Sequence, residues 1–93
     1  MIASKLVEEC LDGVIIKELL LDKPVREEFI HHMSDLGELD YFPHFPRPFY
    51  RIRKKGQFIL KGVEGNSTCQ VFFVNYSREI EKMIHECLGR YQG

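Results

Sequence analysis

From Glu38 to Asn75 the chain runs through four segments patterned as β-strands, at about 38 to 42, 48 to 54, 57 to 63 and 68 to 75, with no helical periodicity between them. Lys55-Gly56 and Glu64-Gly65-Asn66-Ser67 supply residues that turn a chain tightly. Turns this short return a strand beside its predecessor, because a parallel neighbour needs a crossover of about a dozen residues. The last three segments therefore predict an antiparallel meander, and the rest of the chain has to cover one of its faces.

Two amphipathic segments flank the block. Asp22 is placed to cap a helix over about 23 to 35, with Pro24 in its first turn and Glu27 and Glu28 at the positive end of its dipole. Val25, Phe29, Ile30, Met33 and Leu36 give it one buried stripe, and Gly37 ends it. The closing segment starts at a capping Ser77 and sets Ile80, Met83, Ile84, Cys87, Leu88 and Tyr91 on one face. Ahead of both, Val14 to Leu21 (VIIKELLL) reads as a strand buried on most of both faces.

Residues 2 to 12 place Ile2, Leu6 and Cys10, with Val7 and Leu11, at helical spacing before Gly13, while a strand turning at Asp12-Gly13 fits nearly as well. The order is strand, helix, four strands, helix. Each helix has one apolar stripe and the sheet is the only large surface to receive it. The expected fold is an α+β domain, a five-stranded antiparallel sheet with two helices on one face.

At 93 residues, folding hides roughly 60 to 70% of the surface of the unfolded chain, enough for one modest core and a single domain over residues 1 to 93. With 44% hydrophobic and 29% charged residues, disordered and fibrous classes are excluded. Cys10, Cys69 and Cys87 show no paired spacing and the start of the chain lacks the pattern of a secretory signal, so a reduced, cytoplasmic compartment is expected. No run reaches the roughly 18 apolar residues of a membrane span, and no membrane partner is expected.

Neither His31-His32 nor His85-x-Cys87 has the spacing that aims two ligands from one helix face, so no metal site and no cofactor are expected. Glu27, Glu28, His31, His32 and the Glu81/His85 pair offer acids and bases, but exposed helices carry such pairs for solubility. With no phosphate loop, nucleophile elbow or HExxH motif, a non-enzymatic protein is expected.

The net charge of −1 conceals a segregation. Residues 1 to 40 hold four basic and ten acidic side chains (−6), residues 41 to 63 hold six basic and none acidic (+6), and residues 64 to 93 hold three and four (−1). The basic stretch, YFPHFPRPFYRIRKKGQFILKGV, is interleaved with aromatic side chains and contains three of the four prolines. Alternation along the strands turns Tyr50, Ile52, Phe58, Leu60, Cys69, Val71 and Phe73 toward the helices. It leaves Phe49, Arg51, Arg53, Gln57, Ile59, Lys61, Thr68, Gln70 and Phe72 on the opposite face.

Cations neutralise phosphates while aromatic rings stack on bases, so Phe45, Arg47, Phe49, Arg51, Arg53 and Lys61 form a candidate nucleic-acid surface. Aromatic residues and Arg also favour the centres of protein interfaces. The same face therefore suits an acidic protein partner, and the opposed −6 and +6 segments suit a homodimer.

Phe45 to Ile52 (FPRPFYRI) resembles the Phe-Pro and Tyr-Arg signature that leads into a sheet strand in the TATA-box-binding protein family, and the ungapped similarity runs from Phe45 to Gly65. The predicted order of elements is similar to one repeat of that fold. The resemblance implies that Phe45 is one of two DNA-kinking wedges, and it places Gly62 at the second. That family's saddle has two repeats, so a single-repeat chain is expected to rebuild it as a homodimer.

Overall fold

The computed structural model, which describes residues 3–9 and 13–91, gathers the extended segments of the chain into one antiparallel sheet. Its strands are β1 (Ala3–Glu9), β2 (Ile15–Leu20), β3 (Glu38–Phe42), β4 (Phe49–Lys54), β5 (Phe58–Val63) and β6 (Thr68–Phe73), in spatial order β1-β2-β6-β5-β4-β3. The meander expected for the last three strands is present and takes in β3 as well. Two helices, α1 (Glu27–Met33) and α2 (Arg78–Gly89), complete the α+β fold.

The sheet has six strands rather than five. The expected N-terminal helix is instead strand β1, paired antiparallel with β2, so the strand alternative is the one realised; of its expected Asp12-Gly13 turn, Gly13 stands at φ 87 and Asp12 lies outside the described residues. Ile2, Cys10 and Leu11 lie outside the described residues. Without β1, one edge of the β-branched β2 would be left with unpaired backbone groups, and the hairpin satisfies them. Strand β2 itself is less buried than its apolar sequence suggests: only Leu19 is fully enclosed, and Leu20 is 41% exposed.

Helix α1 starts four residues later than expected, at Glu27, behind an extended Arg26 that makes no side-chain cap. Its intended first turn is occupied elsewhere. The Val25 N–H donates to Asn66 O, the Gly65 N–H donates to Val25 O, and the Leu21 N–H donates to Ser67 O, each at 2.8 Å. These bonds engage the backbone of Leu21 and Val25 with the β5–β6 connection, and Val25 enters the core from outside any helix. A turn of 3-10 helix, Ser34–Leu36, closes α1, and Gly37 follows in extended geometry. A Cβ at Gly37 would stand 2.5 Å from Arg53 O, so the close approach of the helix exit to β4 requires glycine.

Ser77 caps α2 by accepting from Glu79 N at 3.2 Å. Its buried stripe is Ile84, Cys87 and Leu88, with Ile80 and Tyr91 partly covered, whereas Met83 faces outward. Both helices contribute to the same core cluster as Tyr50, Ile52, Phe58, Leu60, Cys69, Val71 and Phe73. They therefore lie on one face of the sheet. His32 ties the helices together, its Nε2 2.6 Å from the Cys87 carbonyl oxygen, which can only accept, so Nε2–H donates there.

Candidate functional site

Among the described residues no helix covers the opposite face. Strand register sorts its side chains into rows that cross the sheet from β3 to β1. One row is polar: Asp40, Arg51, Lys61, Gln70, Glu18 and Lys5. The next is apolar at its centre: Glu38, Arg53, Ile59, Phe72, Ile16 and Glu8. On the other side of the polar row Phe42, Phe49 and Val63 align, and Thr68 and Leu20 continue the same line.

Phe49, Arg51, Arg53 and Lys61 all project from this open face, as alternation requires. The arginines are not free. Asp40 accepts from Arg53 Nε at 2.8 Å and from Arg51 Nε at 3.2 Å, and Glu38 lies 3.7 Å from Arg53. The Arg53 hydrogen bond, joined by that of Arg51 and by both charges, outweighs the opposing effect of partial burial and holds the Asp40 carboxyl below its usual range. Lys61 is exposed and has no partner among the described residues.

Phe45 and Arg47 sit in the connection between β3 and β4 rather than on a strand. Phe45 is 50% exposed and stacks on Phe49 at 5.4 Å and Phe42 at 5.9 Å, while Phe42 and Phe49 stand 4.5 Å apart. Arg47 donates to Asn66 Oδ1 at 3.0 Å. A surface depression of about 310 Å³ borders this corner and is lined by Tyr41, Phe42, Pro43, His44 and Phe45. Tyr41 anchors its rim through a hydrogen bond to Glu64, which, with some burial, pushes the phenol up to about 12.

The acidic members of the face escaped the sequence reading. Glu38 and Asp40 alternate with Leu39 and Tyr41, and that alternation was the available signal for carboxylates beside Arg51 and Arg53. Gly62, the position aligned with a second wedge, lies on the helix-covered face in register with Tyr50 and Cys69. A Cβ there would stand 2.4 Å from the Tyr50 hydroxyl, so Tyr50 fills the space a side chain would need.

No group of three or more His, Cys, Asp and Glu side chains is assembled among the described residues. Four of the six candidate acids and bases are engaged in pairs. Glu27 and His31 form an exposed i,i+4 pair at 3.9 Å, and His32 bridges the helices. Glu81 is bound by Lys17 from β2, whose Nζ lies 2.8 and 3.1 Å from its two oxygens, and by the Tyr76 hydroxyl at 2.6 Å. No described helix is long and apolar enough to cross a membrane.

Compared with protein-family models, curated protein sequences and solved structures, the chain matches none of them.

Proposed function

We propose that this chain is a small, non-enzymatic interaction module that docks a protein surface through the open face of its sheet. One observation carries this reading: Asp40 holds both arginines of that face. Across the face Glu8, Glu18, Glu38 and Asp40 balance Lys5, Arg51, Arg53 and Lys61. Balanced charge interleaved with Ile16, Ile59 and Phe72 has the composition of a protein interface, with aromatic and Arg side chains near its centre. The matching surface offers apolar groups to Ile59 and Phe72 and a hydrogen-bond acceptor to Lys61. A photoreactive benzophenone amino acid in place of Phe72 tests it. Discrete protein adducts from position 72, absent when the label replaces the exposed Lys82 of α2, are expected; adducts to nucleic acid, or equal labelling from both positions, would overturn it.

A second reading, nucleic-acid contact, is favoured by the corner where half-exposed Phe45 lies on the Phe42 and Phe49 rings, with Arg47 in the same loop and Lys61 on the adjoining face. The likeness of Phe45 to Gly65 to a TATA-box-binding protein repeat supports it, with Phe45 as the single wedge of each copy. Titration against duplex and single-stranded DNA and RNA at several salt concentrations decides it. Three or four phosphate contacts give a log-log slope near −3 on duplex DNA, at roughly −0.9 per contact. No binding at low salt leaves the protein-docking reading alone.

A further inference from the structure

The geometry points to a second copy of this chain as the occupant of the open face, packed sheet on sheet about a two-fold axis that runs parallel to the strands between β5 and β6. The inference rests on the protein-docking reading and names its partner. Such an axis leaves each row of side chains on itself and reverses the strand order, so β5 faces β6, β4 faces β2, and β3 faces β1 of the other copy.

The consequences can be read row by row. In the polar row Arg51 meets Glu18 of the second copy, Asp40 meets its Lys5, and Lys61 meets its Gln70. In the apolar row Ile59 meets Phe72, and Arg53 lays its planar group over Ile16. In the third row Phe49 meets Leu20, which is 41% exposed in the single chain. Every contact in the polar row is complementary, and the apolar Ile59–Phe72 contact falls nearest the axis, where displacement by sheet twist is smallest. The one mismatch is Glu8 against Glu38 at the rim, where both are exposed and Arg53 lies 3.7 Å from Glu38.

The other simple arrangement fails on charge. An axis running across the strands along the polar row stacks each strand on its own copy and sets Arg51 over Arg51, Lys61 over Lys61 and Glu18 over Glu18. Area is sufficient. Five interstrand gaps of about 4.8 Å and strands about 20 Å long give a footprint of about 500 Å² on each copy, about 1,000 Å² in total, at the lower limit of a specific interface. The dimer is therefore expected to be weak and concentration-dependent.

The test is an exchange of charge between copies. Glu18→Arg sets Arg against Arg51, and Arg51→Glu sets Glu against Glu18, so each variant alone should lose at least about tenfold in self-association. Mixed in equal amounts, one chain of each restores both contacts, and a 1:1 heterodimer should form at wild-type strength in sedimentation equilibrium between about 5 and 500 µM. Methyl NMR of the wild type needs no substitution: dilution should move the Ile16 and Ile59 signals and leave the buried Ile52 unmoved. A wild type that stays monomeric throughout overturns the second copy as partner, and labelling at Phe72 then decides the docking reading separately. Dimers lost in both variants but not restored in the mixture overturn this register and leave open-face docking standing. Dilution shifts confined to Leu6 and Val7, on the free edge of β1, overturn both.

Discussion

The two faces of the sheet are written by alternate residues of the same strands, and they hold together in different ways. On the covered face Tyr50, Ile52, Phe58, Leu60, Val71 and Phe73 are at most 1% exposed and pack under the helices. On the open face their immediate neighbours Arg51, Arg53, Ile59, Lys61 and Phe72 form mixed rows stabilised by Asp40 at one side. Both faces place aromatic and aliphatic groups, so hydrophobicity alone does not separate them. Charge does: every cation of β4 and β5 falls on the open face or in the Lys54-Lys55 hairpin. The covered face specifies the fold and leaves its neighbour free to specify a partner.

Truncating one aromatic ring on each face gives the largest contrast. Phe58 is fully enclosed, and Phe58→Ala should cost about 3 to 5 kcal/mol in chemical denaturation, the range for deleting a ring from a packed core. Phe72 is only partly covered, and Phe72→Ala should cost less, about 1 to 2 kcal/mol, at concentrations where the chain is monomeric. Equal losses would mean that the open face is part of the core, and the division of labour between the faces would collapse.

A subtler break lies within the covered face. The Tyr50 hydroxyl is buried without a hydrogen bond of good geometry, and the Cys69 thiol is the polar group acting on it. Burial, more than Cys69, keeps this phenol from ionising, and burial pushes the Cys69 thiol up to about 12. Gly62→Ala drives a methyl group to 2.4 Å from that hydroxyl and should cost about 1 to 3 kcal/mol through overpacking. Tyr50→Phe removes an unpartnered polar atom and should be neutral or slightly stabilising. Combined, the two changes should destabilise by less than Gly62→Ala alone, because the hydroxyl is the nearest obstacle. Strict additivity would show that Tyr50 does not set the requirement for glycine.

The covered face was legible in the sequence because period-two alternation in β4, β5 and β6 is uninterrupted and each turn carries its glycine. What the alternation left out is long-range. The N-terminal segment has the same apolar spacing for a helix as for a strand, and only the need of β2 for a partner decides between them. Residues 23–26 read as a first helical turn until the backbone of Val25 is claimed by Gly65 and Asn66, some forty positions away. Three of the four cations of the open face, Arg51, Arg53 and Lys61, are legible directly because they cluster in one stretch, whereas Lys5 joins them only through the pairing of β1 with β2. The neutralisation of the arginines is not, because Asp40 belongs to the acidic part of the chain and joins them only through the pairing of β3 with β4.

The faces also differ in how they hold charge. Lys17 projects on the helix side of β2, where its ammonium lies 5.0 Å from the centre of the Tyr76 ring and bonds Glu81 of α2. Burial alone would lower the Lys17 pKa, but hydrogen bonds and charge from Glu81 and Tyr76 raise it above 10.5. Burial would likewise raise the Glu81 pKa, and the bonds from Lys17 and Tyr76 bring it below 4.5. Lys17→Met should therefore cost about 1 to 2 kcal/mol, the scale of a hydrogen bond to a charged group that is partly shielded. The depressed carboxyl contributes above 4.5 and loses its effect as pH falls through its folded value; the raised ammonium contributes below 10.5 and loses its effect as pH rises through its own. The gap between wild type and variant should be level between those limits and narrow outside them, as denaturation at several pH values will show.

Asp40→Asn should have the smallest effect on stability and the most informative one on binding. Asp40 is solvent-accessible and its ion pairs are of the surface kind, so the change in stability should be slight. The open face, however, passes from balanced to +1, and two guanidinium groups lose their shared carboxylate. If Asp40 is what turns this face from phosphates toward a protein, the variant should bind duplex DNA more tightly than the wild type, with a log-log salt slope steeper by about 0.9 for each arginine released. The second-copy contact of Asp40 with Lys5 should weaken at the same time, because the outer member of the polar row loses its charge. The two readouts move in opposite directions only if one carboxylate governs both. A wild type that already shows a slope near −3, unchanged in Asp40→Asn, would mean that Arg51 and Arg53 exchange Asp40 for phosphate without cost, and the nucleic-acid reading would then replace the protein-docking one.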